Sequence, residues 1–286
     1  MKIIDIIKGN KPSLSFEVFP PKTHDKYDSV SSAIKEIALL NPSYMSVTYG
    51  AGGGTSEYTS KIASEVSSLG VTSLAHLSCI SSSKELVREQ IAKLDLLGIE
   101  NILALRGDIP TKFDMNSCDF RYSYELIDEI KKYGNFCIGG ACYPECHPES
   151  ESAEKDIEYL KIKVEHGCEF LTTQMFFDNE IFYRFAEKLE KAGINAPIVA
   201  GIMPITAPTQ LERIVALSGN SLPKSFLDCV MKYENDPVSF KNAGLEFATN
   251  QARNIYSHGF NAVHIYSMNK PDVAKTIQNN LLDVIK

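Results

Sequence analysis

The chain has 286 residues, 44% hydrophobic and 23% charged, which is enough apolar material for the core of a globular protein. Its 29 basic and 36 acidic residues give a net charge of −7 without a basic run, so we exclude nucleic acid as a partner. No apolar stretch approaches the length of about 18 residues that spans a membrane. The N-terminal stretch carries Asp5 and does not resemble a secretory signal, so we expect a cytoplasmic protein.

The seven cysteines predict reduced thiols and not a disulfide framework. Their number is odd, and they fall within strand-like and helix-like segments without a framework spacing. The sequence CYPECH at 142–147 is the nearest approach to a metal motif. It lacks the usual zinc spacing and a second pair of ligands, so we expect no metal site.

Eight β-like runs alternate with helix-like segments along the chain. The helix-like segments place apolar residues at steps of three and four, as in KELVREQIAKLDLLG at 84–98. Ser82 with Glu85 predicts a capping box at the start of that helix, and Gly98 predicts its end. In chain order the runs are LSFEVF (14–19), YMSVTY (44–49), TSLAHLSC (72–79), NILALRG (101–107), FCIGGACY (136–143), FLTTQMF (170–176), PIVAGIM (197–203) and AVHIYSM (262–268).

This alternation predicts an α/β fold, a (β/α)8 TIM barrel that forms a single domain over residues 1–286. Eight β-α units in about 250 residues match the size of that fold, and no composition shift or linker divides the chain. The segment between the seventh and eighth runs is longer and predicts an additional helix around 223–234. A doubly wound open sheet is the alternative. It lacks its glycine fingerprint, because GAGGGT at 50–55 has Thr55 where the last glycine is needed.

Polar residues collect in the C-terminal half of the β-like runs. A structural barrel interior would carry Val, Ile and Leu at inward positions, since a buried polar group without a partner costs about 2–7 kcal/mol. Any one of these residues is equally well explained as a satisfied core residue. The set as a whole favours a ligand-binding mouth at the carboxyl ends of the strands. Its members are Glu17, His76, Arg106, Asp108, Thr172, Gln174, His264 and Tyr266.

Within this set, Glu17 gives the strongest indication of a functional role. It is flanked by Phe16, Val18 and Phe19, and Pro20 follows directly. Desolvation in such surroundings raises the pKa of a carboxyl group, which suits it to donate a proton near neutral pH. The alternative is a structural ion pair between Glu17 and Arg106.

Six short motifs follow one another at the first six β-like runs. They are SFEVFPPK (15–22), VTYGAGG (47–53), AHLSC (75–79), LALRGD (103–108), CYPECHPE (142–149) and TTQMFFD (172–178). Together they closely resemble the catalytic domain of the methylenetetrahydrofolate reductase family, over roughly residues 12–275. The resemblance favours an active-site role for Arg106-Gly107-Asp108 over a simple turn or an integrin-binding tripeptide.

The resemblance implies a catalytic barrel that binds FAD without a Rossmann fingerprint. NADH or NADPH reduces the flavin and leaves, and 5,10-methylenetetrahydrofolate then takes its place and is reduced to 5-methyltetrahydrofolate. This ping-pong reaction serves methionine synthesis and one-carbon metabolism. A homo-oligomer is usual in the family, and some bacterial members take electrons from an iron–sulfur partner subunit instead.

The resemblance also implies roles for individual residues, each matched through its motif. Glu17 corresponds to the general acid that protonates the folate, so that its five-membered ring opens to an iminium. Asp108 corresponds to an aspartate near the flavin pyrimidine and the pterin, where its negative charge favours that cation. Gln174 corresponds to a glutamine that touches the pterin and the nicotinamide. The implied FAD contacts are Thr48, Tyr49, Ala51, His76, Arg106, Gly107, Asp108, Tyr122, Ser123, Tyr143, His147, Asp156 and Lys163, and the implied folate contacts are Glu17, Gln174, Gln210, Tyr266 and Lys270.

The chain departs from the family pattern at four positions. Tyr159 and Ile162 stand where bacterial members carry polar or basic flavin contacts, so we expect the contacts to the diphosphate to differ from those of the family. Ile214 replaces an aromatic residue that packs on the folate or nicotinamide, and Lys270 stands where an arginine is usual. Two rival functions stay open: another oxidoreductase on the same barrel using a deazaflavin or a different pterin, and a folate or flavin carrier without activity.

Overall fold

The computed structural model describes residues 1–21, 23–49, 56–109, 118–211, 214 and 222–286. Within these ranges, eight parallel strands close into a barrel in chain order, with the eighth strand paired to the first. Each of the eight predicted runs contains or overlaps one strand, so the predicted TIM barrel is confirmed. The strands are β1 (Ser13–Val18), β2 (Met45–Val47), β3 (Ser73–Ser78), β4 (Asn101–Leu105), β5 (Cys137–Cys142), β6 (Phe170–Thr173), β7 (Ile198–Ile202) and β8 (Ala262–Ile265).

Helices surround the barrel and connect successive strands. The additional helix predicted around 223–234 is confirmed as α8, which a short 3₁₀ turn at Met231–Tyr233 extends. The helices are α1 (Ile3–Ile7), α2 (Tyr27–Ala38), α3 (Ser56–Ser68), α4 (Lys84–Leu96), α5 (Ser123–Tyr133), α6 (Ala153–Glu165), α7 (Asn179–Lys191), α8 (Lys224–Val230), α9 (Pro237–Ser257), α10 (Pro271–Asn280) and α11 (Leu282–Ile285). No helix in the described ranges is long and apolar enough to cross a membrane.

The predicted start of α4 is wrong by one residue. Ser83, and not Ser82, is the N-cap: its backbone is extended and its side chain accepts a hydrogen bond from the Leu86 N–H. The predicted end is confirmed, because Gly98 follows the helix with φ +69°, a conformation that glycine adopts without steric cost.

Among the described residues, apolar side chains form two cores separated by the barrel wall and a third cluster around Phe226 of α8. The larger core lies between the strands and the surrounding helices, where alternate strand residues such as Phe16 and Val18 are fully buried. The smaller core fills the lower half of the barrel and includes Leu74 and Leu103. Helix α1 packs its isoleucines against this inner core and thereby closes the bottom of the barrel. The upper half of the barrel is left for polar residues.

Strand register brings the inward polar residues of neighbouring strands level with one another. Glu17 on β1 pairs with Ser46 on β2, and Ser15 pairs with His264 on β8. On β7 the inward position is Gly201, where an added Cβ would lie 2.6 Å from the Tyr266 hydroxyl oxygen. The upper barrel therefore combines hydroxyl, imidazole and carboxyl groups with a position too crowded for any side chain.

Candidate active site

A cavity of about 320 Å³ opens at the carboxyl ends of the strands. It reaches down from the mouth to the inner core, and residues from all eight strands or the loops that follow them line it. Parallel barrels bind their ligands at this end. The predicted polar mouth is therefore present, and the predicted residues that line it are Glu17, His76, Tyr143, Thr172, Gln174, His264 and Tyr266.

The Glu17 carboxyl group lies in the cavity wall and is 6% exposed. Desolvation by burial raises its pKa from 4.5 to about 8. The Nε2 atom of His76 lies 4.0 Å from Glu17 Oε2. The alternative ion pair with Arg106 is wrong, because Arg106 Nη1 binds Glu149 Oε2 at 2.6 Å instead. Burial therefore favours the protonated form of Glu17 at neutral pH, the direction of the pKa shift that the flanking apolar residues predict.

Two buried histidines stand next to this acid without supplying positive charge. Burial lowers the pKa of His76 and of His264 to about 3, so both rings are neutral. His264 is fixed by Ser15 Oγ at 2.7 Å from Nδ1 and by Ser46 Oγ at 3.0 Å from Nε2. His76 Nε2 has no hydrogen-bond partner among the described residues, although it is buried. A buried nitrogen of this kind is available to a ligand.

The Arg106-Gly107-Asp108 segment forms the rim beyond β4. The Arg106 carbonyl accepts hydrogen bonds from the N–H groups of Cys79 at 3.2 Å and Ile80 at 2.9 Å, which ties this rim to the end of β3. Gly107 has φ +87°, and a Cβ there would lie 3.0 Å from Ser78 Cβ. Glycine is therefore required both by the backbone conformation and by the close approach of the neighbouring strand.

Asp108 is exposed at this rim, close to the half-buried Tyr143. The pKa of Tyr143 is raised mainly by burial and further by the negative charge of Asp108. The carboxylate of Asp108 therefore acts electrostatically on the wall of the cavity from its edge.

A hydrogen-bond network links the rim to α6. The Asp156 carboxylate accepts the His147 backbone N–H at 3.1 Å, and the His147 ring nitrogen Nδ1 accepts the Glu149 N–H at 3.1 Å. Glu149 then pairs with Arg106. The network brings together three of the predicted cofactor contacts, His147, Asp156 and Arg106. Sequence reasoning missed Glu149 as their connection, although it is the last residue of the CYPECHPE motif.

Lys163 lies differently from the other predicted cofactor contacts. Its half-buried side chain donates from Nζ to the Ala141 carbonyl at 2.7 Å, which attaches α6 to β5. Burial lowers the pKa of this ammonium group. In this arrangement Lys163 binds the backbone of β5. To contact FAD as predicted, its ammonium group would have to bind a phosphate in place of the Ala141 carbonyl.

Tyr122 and Ser123 occupy the start of α5, the first as its exposed N-cap and the second as a buried residue of the first turn. Tyr159 on α6 stacks on Tyr122 with ring centroids 5.5 Å apart. Thr48 is half-buried after β2, and its N–H donates to the Val18 carbonyl at 3.0 Å. Tyr49 packs against the outer core. The last of the predicted cofactor contacts, Ala51, lies outside the described residues.

The predicted folate contacts beyond the barrel wall meet at Thr206, which the sequence did not indicate. Gln210 Oε1 accepts hydrogen bonds from the Thr206 N–H at 2.7 Å and hydroxyl at 2.9 Å. Lys270 Nζ donates to the same hydroxyl oxygen at 3.0 Å. Ile214 is buried in an apolar cluster with Phe226 of α8. The loop after β7 therefore brings Gln210 and Lys270 into one polar group beside the mouth.

Comparisons with known proteins address the family to which the chain belongs. The family model described as methylenetetrahydrofolate reductase matches residues 2–282. A 5,10-methylenetetrahydrofolate reductase of Buchnera aphidicola subsp. Schizaphis graminum is 35% identical over 281 residues, which cover 96% of this chain and 95% of that protein. Methylenetetrahydrofolate reductase (NADH) 1 of Arabidopsis thaliana is 33% identical over 98% of this chain and 51% of its own length. The chain thus spans about half of that plant relative.

Among solved structures, an uncharacterized protein from Clostridium thermocellum that binds two copies of 5-methyl-5,6,7,8-tetrahydrofolic acid has a TM-score of 0.65 to this chain. The match covers 99% of this chain and 100% of that one at 13% identity, so it supports the barrel fold alone. The match of the family model over nearly the whole chain decides the family. This chain belongs to the methylenetetrahydrofolate reductase family.

Proposed function

We propose that this chain is a flavin-dependent reductase that converts 5,10-methylenetetrahydrofolate to 5-methyltetrahydrofolate with electrons from NADH or NADPH. The observation that carries the proposal is the neutral, buried carboxyl group of Glu17 in the wall of the cavity. Opening the five-membered ring of the folate requires a proton donor, and a carboxyl group that burial keeps protonated near neutral pH can serve as one. A folate or flavin carrier needs no such group.

The residues present fit FAD as the cofactor. Gly107 allows a flat ring to approach the rim, His76 Nε2 is a buried nitrogen without a partner among the described residues, and Arg106 keeps donors beyond those used by Glu149. We propose that these groups, with Tyr143, hold the ring portion, and that the network around Asp156 holds the ribose and diphosphate. FAD bound there would supply hydride transfer from the nicotinamide to the folate.

The chain's own residues then supply protons, charge and orientation. Glu17 gives its proton to the folate and becomes a carboxylate. The histidines beside it are neutral and therefore form no ion pair with that carboxylate. Asp108 carries the negative charge that favours the cationic form of the ring-opened folate. Gln174 and Tyr266 line the cavity where the pterin or the nicotinamide would lie. Gln210 and Lys270 would contact the folate at the edge of the mouth.

We further propose that residues 1–286 form one catalytic unit that works as a homo-oligomer in the cytoplasm and supplies methyl groups for methionine synthesis. None of the seven cysteines, all of which lie in the described part of the chain, forms a disulfide, which suits a reducing compartment. An iron–sulfur partner subunit is the alternative electron donor, and anaerobic reduction of the flavin by NADH or NADPH distinguishes it.

The proposal is tested on the purified protein in two steps. Denaturation should release FAD, one per subunit, identified by chromatography. The native protein is then mixed anaerobically with NADH or NADPH, and we expect bleaching of the flavin absorbance with at least one of them. Release of FMN or of no flavin would overturn the cofactor assignment. Bleaching by dithionite alone would instead favour the iron–sulfur partner, and a deazaflavin spectrum would favour the rival oxidoreductase.

A further inference from the structure

Three tyrosines form an exposed stack beside the mouth of the barrel. The ring centroids of Tyr122 and Tyr124 are 5.3 Å apart at an interplanar angle of 10°, and those of Tyr122 and Tyr159 are 5.5 Å apart at 19°. Tyr122 is 39% and Tyr159 38% exposed. The stack therefore joins α5 to α6 and presents flat aromatic surface to solvent.

The polar residues around the stack suit a nucleotide. Asp156 and Lys163 lie three residues before and four residues after Tyr159, which puts all three on one face of α6. On the other side, the Cys79 thiol lies 3.9 Å from both the Tyr122 carbonyl and the Arg106 carbonyl, so the stack is adjacent to the rim. A ligand that extends from Gly107 along this rim toward Tyr122 would therefore reach the aromatic stack.

We propose that Tyr159, supported by Tyr122, is a stacking site for the adenine of FAD and makes this chain prefer FAD over FMN. The inference rests on the proposed function, which puts the flavin ring in the cavity. Aromatic side chains bind nucleobases by stacking without needing charge. FMN has no adenine and cannot use this surface.

The test measures dissociation constants of FAD and FMN for the full-length chain stripped of flavin. Tyr159→Leu keeps an apolar side chain but removes the ring, and should weaken FAD binding about 5- to 100-fold while FMN binding stays within about twofold. Tyr159→Phe keeps the ring and should bind FAD nearly as the parent does. Tyr133→Leu is the control, since Tyr133 is also an exposed tyrosine and lies at the far end of α5.

Each outcome separates the inference from the proposed function. If the parent binds FAD but Tyr159→Leu binds it equally well, or loses FAD and FMN affinity by the same factor, the stacking role is wrong and the proposed function stands. If Tyr159→Leu raises the KM for NADH without affecting FAD retention, the stack serves the nicotinamide dinucleotide and this inference is overturned. A parent chain that binds neither flavin refutes both.

Discussion

At the scale of single residues, the acidity of Glu17 is set by burial and not by a neighbouring acid. Desolvation raises its pKa to about 8, and the two nearby imidazoles are neutral, so no charge from them favours the carboxylate. The carboxyl group therefore keeps its proton until a substrate with a basic group binds and accepts it. Phe16 and Val18 on either side of it pack into the outer core and fix the strand that carries it.

This burial predicts how stability depends on pH. In the unfolded chain Glu17 titrates at its ordinary pKa of 4.5, and in the folded chain at about 8, so between these values unfolding releases a proton. The favourable contribution of the neutral form is complete below pH 4.5 and is lost as the pH rises to 8. Glu17→Gln removes this titration. The unfolding free energy of the variant minus that of the parent should therefore be about 3–5 kcal/mol larger at pH 8 than at pH 4.5. Urea unfolding of the flavin-free proteins at both pH values measures this, and a pH-independent difference would contradict it.

Asp108 supports a second prediction, on the redox potential. A carboxylate beside the flavin disfavours the anionic reduced ring and favours the cationic folate, so Asp108→Asn should raise the flavin's reduction potential and slow hydride delivery to the folate. A redox titration with stopped-flow rates for each half-reaction measures both effects. If Asp108 merely caps the loop, its replacement should weaken FAD retention without a directional change in potential. An unchanged or lowered potential would refute the electrostatic role.

The sequence predicted which side chains line the cavity better than it predicted the contacts that they make. Glu17, His76 and Gln174 could be placed in the mouth because strand alternation fixes which face a residue occupies. The partner of Arg106 could not be predicted, because Glu149 lies 43 residues away and reaches it through a loop whose path depends on Asp156. Long flexible side chains select partners only after the backbone is assembled.

At the scale of elements, short strands were predictable and their ends were not. The fourth predicted run extended to Gly107, whereas β4 ends at Leu105. The chain leaves the sheet because Gly107 takes a positive φ that no strand residue has. Likewise, Ser82 and Ser83 are both acceptable caps by residue type, and the backbone conformation decides between them.

Gly107 provides a prediction for the rim, with Gly98 as its matched control. Both have positive φ, but a Cβ at Gly107 would meet Ser78, whereas one at Gly98 would meet nothing within 4 Å. Each alanine variant should lose about 1–2 kcal/mol of stability from the backbone conformation. Gly107→Ala should also weaken FAD binding, since the rim must shift. Calorimetry and flavin titration test this, and equal FAD affinity in both variants would show that the close approach is unimportant for the cofactor.

At the scale of the whole molecule, the barrel separates stability from chemistry. Its lower half is an apolar core closed by α1, and its upper half is the polar cavity. The alternation of eight strand-like and helix-like segments predicted the barrel, since few folds repeat that unit eight times. The closure by α1 was not predicted, because a five-residue helix is too short to show a periodic pattern.

The most direct test of the account compares the two half-reactions in the parent and in Glu17→Gln by anaerobic stopped-flow. In the parent, NADH or NADPH should bleach the flavin, and 5,10-methylenetetrahydrofolate should then restore its absorbance. In Glu17→Gln the bleaching rate should be retained, while the restoration by folate should fall about 10²–10⁴-fold through loss of the general acid. An equal loss in both half-reactions, or an unchanged rate with the folate, would contradict the role assigned to Glu17.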